Sequence, residues 1–146
     1  KIVMDGGLGA STAALLDDYS DEPGNRGTFN LTDAELDDAF VAAKAADVRI
    51  EAHAIGDAAF DRILAKLEGG RRDVDYLAGP VVTHCQILST DLLARTAGYH
   101  REHGSDSPLF ANVQPQFVAS DLPAVLPKLG PDRAATSYVW RSLQDD

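Results

Sequence analysis

A single cysteine, Cys85, stands among the 146 residues, which excludes an internal disulfide framework and any metal site built from thiolates alone. A reducing compartment suits such a chain. Long apolar runs are missing as well: residues 79–82 and 122–126 form short, interrupted stretches, far below the roughly 20 residues that span a bilayer. Positive charge is scarce, with 13 Lys and Arg against 23 Asp and Glu and a net charge of -10, and no basic cluster is larger than Arg71-Arg72. Phosphate backbones and anionic membrane surfaces repel a chain of this charge, so neither nucleic acid nor a membrane is expected as a partner. The sequence opens on Lys1-Ile2-Val3-Met4-Asp5 without an initiator Met, and without the basic region and small-residue cleavage site of a secretory signal. The expectation is a start that is a cut, and a cytoplasmic location.

What is present is ample for a packed core: 45% of the residues are hydrophobic, at a length typical of one domain. Apolar segments suited to buried strands recur at residues 1–4, 49–55, 80–85 and 109–114. Each is followed by a turn and then by apolar residues at helical spacing, the rhythm of parallel βα units. The first strand runs into the glycine-rich Asp5-Gly6-Gly7-Leu8-Gly9 and a long loop through Pro23-Gly24-Asn25-Arg26-Gly27. Thr32 and Glu35 form a capping box ahead of Leu36, Phe40 and Ala43. Asp57 is the expected N-cap of a helix bearing Phe60, Ile63, Leu64 and Leu67 on one face, with Gly69-Gly70 after it. A third helix over residues 90–103 is capped by Ser89 or Thr90 and ended by Gly104. A Pro-interrupted stretch at residues 122–129 precedes a last helix, with Pro131 near its start and Tyr138, Trp140 and Leu143 at its end. Four such units suit either an arc of an eight-stranded barrel or a small doubly wound sheet. In both, catalytic groups belong at the C-terminal ends of the strands.

His53 and His84 occupy matching places near the ends of the second and third strands. Imidazoles on neighbouring parallel strands, roughly 5 Å apart, can converge on one Zn2+; the same position also suits a histidine that packs or makes a hydrogen bond. Gln114, at the end of the fourth strand, either holds a substrate or metal-bound water, or caps the next turn. Cys85, by strand alternation, should point away from the barrel interior into packing.

Lys1-Ile2-Val3-Met4-Asp5-Gly6-Gly7-Leu8-Gly9, Pro23-Gly24-Asn25-Arg26-Gly27, His53-Ala54-Ile55-Gly56-Asp57, His84-Cys85-Gln86, Val113-Gln114-Pro115 and Trp140-Arg141-Ser142-Leu143, in this order and spacing, resemble the YtcJ-like branch of the metal-dependent amidohydrolase superfamily. The resemblance covers nearly the whole chain. It implies α/β architecture, with residues 1–146 forming strands four to seven of a partial (β/α)8 barrel. It implies a divalent metal, Zn2+ in one or two copies, with His53 and His84 as ligands and Lys1, if carboxylated, as a bridge between two ions. The activity implied is hydrolysis of carbon-nitrogen bonds other than peptide bonds, in small amides such as N-acyl or N-formyl amines, by metal-activated water.

The family's first metal ligands would lie upstream and its general-base Asp beyond Asp146, so the piece alone is expected to be inactive. Gly7, where serine is common, and Thr83-His84-Cys85, where Glu-His-Ala is common, depart from the family pattern and leave a non-catalytic binding or regulatory module as the alternative. A half barrel also leaves edge strands uncovered, which predicts marginal stability, homo-oligomerisation or association with the rest of a barrel. Trp140 and Arg141 are expected to serve packing and ion pairing.

Overall fold

The computed structural model describes residues 1–69, 79–103 and 108–145. Strands β1 (Ile2–Val3), β2 (Glu51–Ala54), β3 (Val81–His84) and β4 (Phe110–Asn112) alternate with helices α1 (Asp33–Ala45), α2 (Asp57–Gly69), α3 (Thr90–His103), α4 (Gln116–Ala135) and α5 (Trp140–Asp145). All strand pairings are parallel, and the sheet order β1-β2-β3-β4 never reverses. A doubly wound sheet would change direction at a switch point; four strands in sequential order form the arc of a barrel-type α/β fold. Gly70, Arg71-Arg72 and Gly104, singled out in the sequence, lie outside the described residues. No helix among the described residues is long and apolar enough to cross a membrane.

Side-chain alternation divides the sheet into two chemically distinct faces. Ala52, Ala54 and Val82 are buried toward the helices, against a cluster that includes Phe40, Phe60, Ile63, Leu64, Leu67 and Leu92. The opposite face is polar. Lys1 Nζ lies 2.7 Å from Glu51 Oε1, Thr83 Oγ1 donates to the same oxygen at 2.8 Å, and Asn112 Nδ2 donates to Thr83 Oγ1 at 3.5 Å. One chain of polar contacts therefore crosses all four strand positions on the face that a barrel would enclose. The two edge strands expose Val3 and Phe110, apolar surface at the two places where a barrel would continue.

The capping box at Thr32 and Glu35 forms as expected, and Leu36, Phe40 and Ala43 are the buried residues of α1. Ser89 Oγ, rather than Thr90, accepts from Leu92 N at 3.1 Å to cap α3. The C-terminal third differs from the sequence reading. Helix α4 begins at Gln116, ahead of the Pro-interrupted stretch, and breaks at Gly130 (φ 71°, ψ 173°). Pro131 then opens a second helical segment, where its missing N–H costs no helical bond. Tyr138 (φ 57°) lies outside any helix, while Trp140 and Leu143 belong to the separate α5.

The long loop after β1 is well tied down. Leu8, Leu15 and Tyr19 form a second buried cluster with Ile87, Val125 and Leu129. Arg133 of α4 donates to the carbonyls of Asp17 at 3.1 Å and Asp18 at 2.7 Å, and Lys128 Nζ lies 3.2 Å from Asp21 and 2.6 Å from Ser11 Oγ. Two glycines permit this docking. A Cβ on Gly27 (φ 77°) would stand 1.9 Å from the Ala13 carbonyl oxygen, and one on Gly56 would stand 1.9 Å from that of Ala14.

Candidate metal centre at the strand ends

His53 pairs in register with Thr83, and Ala54 with His84. Simple alternation would put Thr83 on the same face as His53 and turn His84 toward the helices. The backbone prevents this: His84 has φ 83° and Cys85 has φ 45°, a left-handed conformation that non-glycine residues enter at a cost of about 1–3 kcal/mol each. The consequence is that Thr83 and His84 both serve the polar face while Cys85 is buried among the helices.

The rings of His53 and His84 lie with centroids 4.6 Å apart at an interplanar angle of 76°. Two imidazoles sharing one ion with Zn–N near 2.0–2.1 Å would place their centroids roughly 4.5–5.5 Å apart, so the spacing fits. Burial, reinforced by the neighbouring His53, holds the His84 imidazole below the ordinary histidine range, favouring the neutral form that binds metals.

Asp5, which the sequence reading left without a role, organises the site. It is 1% exposed. Its Oδ2 accepts from Ala14 N at 3.0 Å and Gly56 N at 2.8 Å, and its Oδ1 accepts from Ile55 N at 3.1 Å. One carboxylate thus joins the loop after β1 to the turn after β2. Asp5 Oδ1 also stands 3.0 Å from His53 Nδ1, but without hydrogen-bond alignment, so that nitrogen is buried without a bonded partner. A carboxylate beside the outer nitrogen of a histidine is the usual support of a metal-ligating ring, and an orphaned nitrogen at that place fits a ring whose final orientation a ligand would set. The only signal in the sequence was the Asp-Gly step after the first strand.

Gln114 Oε1 is likewise buried without a hydrogen-bond partner, and Phe117, in the first turn of α4, has its ring centroid 5.9 Å from that of His84. Beside them Gln86 Nε2 donates to Tyr138 Oη at 2.5 Å and to Asp121 Oδ2 at 3.1 Å, while Tyr138 Oη donates to the same carboxylate oxygen at 2.9 Å. No spacing in the sequence announced this group. Burial, with Asp121 beside it, pushes the Tyr138 phenol above its ordinary range. Lys1 sits on the same face but engages Glu51. Asp57, read as a helix cap, accepts from Ala58 N and also from Leu16 N of the loop, each at 2.9 Å.

Among the described residues no group of three or more His, Cys, Asp or Glu is arranged to hold a metal ion. The structure therefore offers two imidazoles and their supports, with Asp5 turned to backbone amides rather than to the site.

Comparison with known proteins bears on the chain as a whole. The amidohydrolase family model matches residues 1–146. The chain is 34% identical over 148 residues to the amidohydrolase-like protein YtcJ of Bacillus subtilis (strain 168), covering 98% of this chain and 25% of that protein. It is 32% identical over 149 residues to the protein LONG AFTER FAR-RED 3 of Arabidopsis thaliana, covering 98% and 24%. Crystal structures of uncharacterized metal-dependent hydrolases from Pyrococcus furiosus and Pyrococcus horikoshii OT3 superpose with a TM-score of 0.83 each, at 26% and 27% identity, over 99% of this chain and 28% and 27% of theirs. The chain spans about a quarter of the length of these relatives. On a family match from its first residue to its last, and on a fold shared with metal-dependent hydrolases, the chain belongs to the amidohydrolase family.

Proposed function

We propose that this chain forms the strand-four-to-seven arc of a (β/α)8 hydrolase barrel, and that the complete barrel cleaves carbon-nitrogen bonds other than peptide bonds in small amides such as N-acyl or N-formyl amines. The observation that carries the reading is the His53–His84 pair, with centroids 4.6 Å apart at adjacent strand ends, in a chain of the amidohydrolase family. His53 and His84 would hold a divalent metal, Zn2+ in our reading, together with ligands from outside these residues. When bound, such an ion acidifies water and polarises a carbonyl.

The chain's own residues prepare the site for that chemistry. Asp5 fixes the backbone behind His53 and stands ready to orient its ring. Gln114 offers an unengaged oxygen to a substrate N–H, and Phe117 supplies an apolar wall beside His84. Lys1, read as a carboxylated bridge between two ions, would have to leave its ion pair with Glu51 to take that role. The uncovered edges at Val3 and Phe110 support closure by further strands or by a second copy, and the chain alone is read as inactive.

The test is hydrolysis of N-formyl and N-acetyl amines by the protein made from its complete reading frame. Activity abolished by a chelator, restored by Zn2+, and absent in His53→Ala and His84→Ala supports the proposal. Metal binding without hydrolysis across the panel favours a non-catalytic relative that keeps the site for binding or regulation.

A further inference from the structure

We propose that Trp140 is a positioning residue for the metal centre: its indole N–H clamps the carbonyls of His84 and Cys85 and so fixes the turn that aims the His84 imidazole at His53. The metal half of this inference rests on the function proposed above; the turn itself does not.

Two consecutive non-glycine residues with φ of 83° and 45° persist only where their surroundings enforce them. The pairing of β3 with β4 stops at Thr83↔Asn112, so the carbonyls that follow need partners from another element. The first residue of α5 supplies them. Trp140 Nε1 donates to His84 O at 3.0 Å and to Cys85 O at 2.9 Å, one donor gripping both strained residues. Tyr138 N donates to Gln86 O at 2.7 Å, and Ile87 makes an antiparallel bridge to Ser137, but neither touches the left-handed pair. The indole is itself braced: its ring meets Tyr138 edge-on at 5.5 Å and 82°, and Tyr138 is held by Asp121 and Gln86. Without the clamp, the cheaper backbone conformation returns His84 to ordinary alternation, toward the helices and away from His53.

Trp140→Phe removes the N–H and keeps most of the packing; Leu143→Ala, in the same short helix, removes packing from the cavity that Leu143 shares with Cys85 but leaves the indole donor in place. Both are made in the protein from its complete reading frame and read in two ways. In metal-free protein the nuclear Overhauser contact between the His53 and His84 ring protons is expected to vanish in Trp140→Phe and remain in Leu143→Ala. Zn2+ affinity, by competition with a chromophoric chelator, is expected to fall roughly 10- to 100-fold in Trp140→Phe only.

A retained ring contact in Trp140→Phe overturns the proposal, as does an equal loss in Leu143→Ala or an unchanged zinc affinity in a protein that binds zinc. If the unsubstituted protein binds no zinc, the metal reading fails while the ring contact still decides the role of Trp140. Should Trp140→Phe not fold, an indole isostere carrying sulfur in place of N–H at position 140 gives the same two readouts.

Discussion

Replacing Asp5 tests the reading that one buried carboxylate carries the architecture around His53. Its two oxygens accept three backbone N–H groups, from Ala14, Ile55 and Gly56, at 2.8–3.1 Å, and the bonds to Ala14 and Gly56 are buried. Asp5→Ala orphans all three donors. A buried donor left unpaired costs about 1–3 kcal/mol, and water reaches the Ile55 amide more readily than the other two, so the loss should be about 3–5 kcal/mol. Asp5→Asn keeps one acceptor oxygen. With that oxygen facing Ala14 and Gly56, its NH2 group opposes the Ile55 N–H, and the loss should be about 1–2 kcal/mol. Denaturant unfolding of the metal-free protein, with the slope checked for constancy, measures both. A loss below about 1 kcal/mol for Asp5→Ala would refute the reasoning, because the amides would then have found other partners.

Three further substitutions test the packing. Gly56→Ala drives a Cβ to within 1.9 Å of the Ala14 carbonyl oxygen, and should destabilise by about 3 kcal/mol through overpacking between loop and turn; thermal unfolding that matches the parent would contradict it. Thr32→Ala removes the capping box of α1 and should cost about 1 kcal/mol in the same assay. Burial raises Asp57 above its ordinary value of 3.8, outweighing the amides of Leu16 and Ala58, so folding favours the protonated acid. That contribution is present below pH 3.8 and is lost as pH rises through the folded value. Asp57→Asn keeps the acceptor without the charge, so its melting temperature relative to the parent should climb from pH 4 to pH 7; a decline would show that the charge is stabilising.

Local signals were the legible part of this chain. Thr32 and Glu35 announced α1, apolar spacing announced the buried faces of α1 and α2, and strand-end position brought His53 and His84 together. The hidden features depend on contacts distant in sequence or on backbone conformation. Asp5 reaches Gly56 across 51 positions, a pairing that no window of the sequence contains. The orientation of His84 rests on φ 83°; alternation admits Thr83 or His84 to the polar face, but not both. The start of α4 was obscured because Pro123 and Pro127 read as breakers, although the helix accommodates both, and the real break comes at Gly130, where φ 71° suits glycine. Separating Trp140 from that helix required Tyr138 at φ 57°, a conformation that composition does not signal.

The central claim, that His53 and His84 are metal ligands, is tested most directly by elemental analysis of the protein made from its complete reading frame, beside His53→Ala and His84→Ala. Stoichiometric divalent metal in the parent and its loss from both folded variants is the predicted result. A parent free of metal, or variants that retain the full complement, would contradict it.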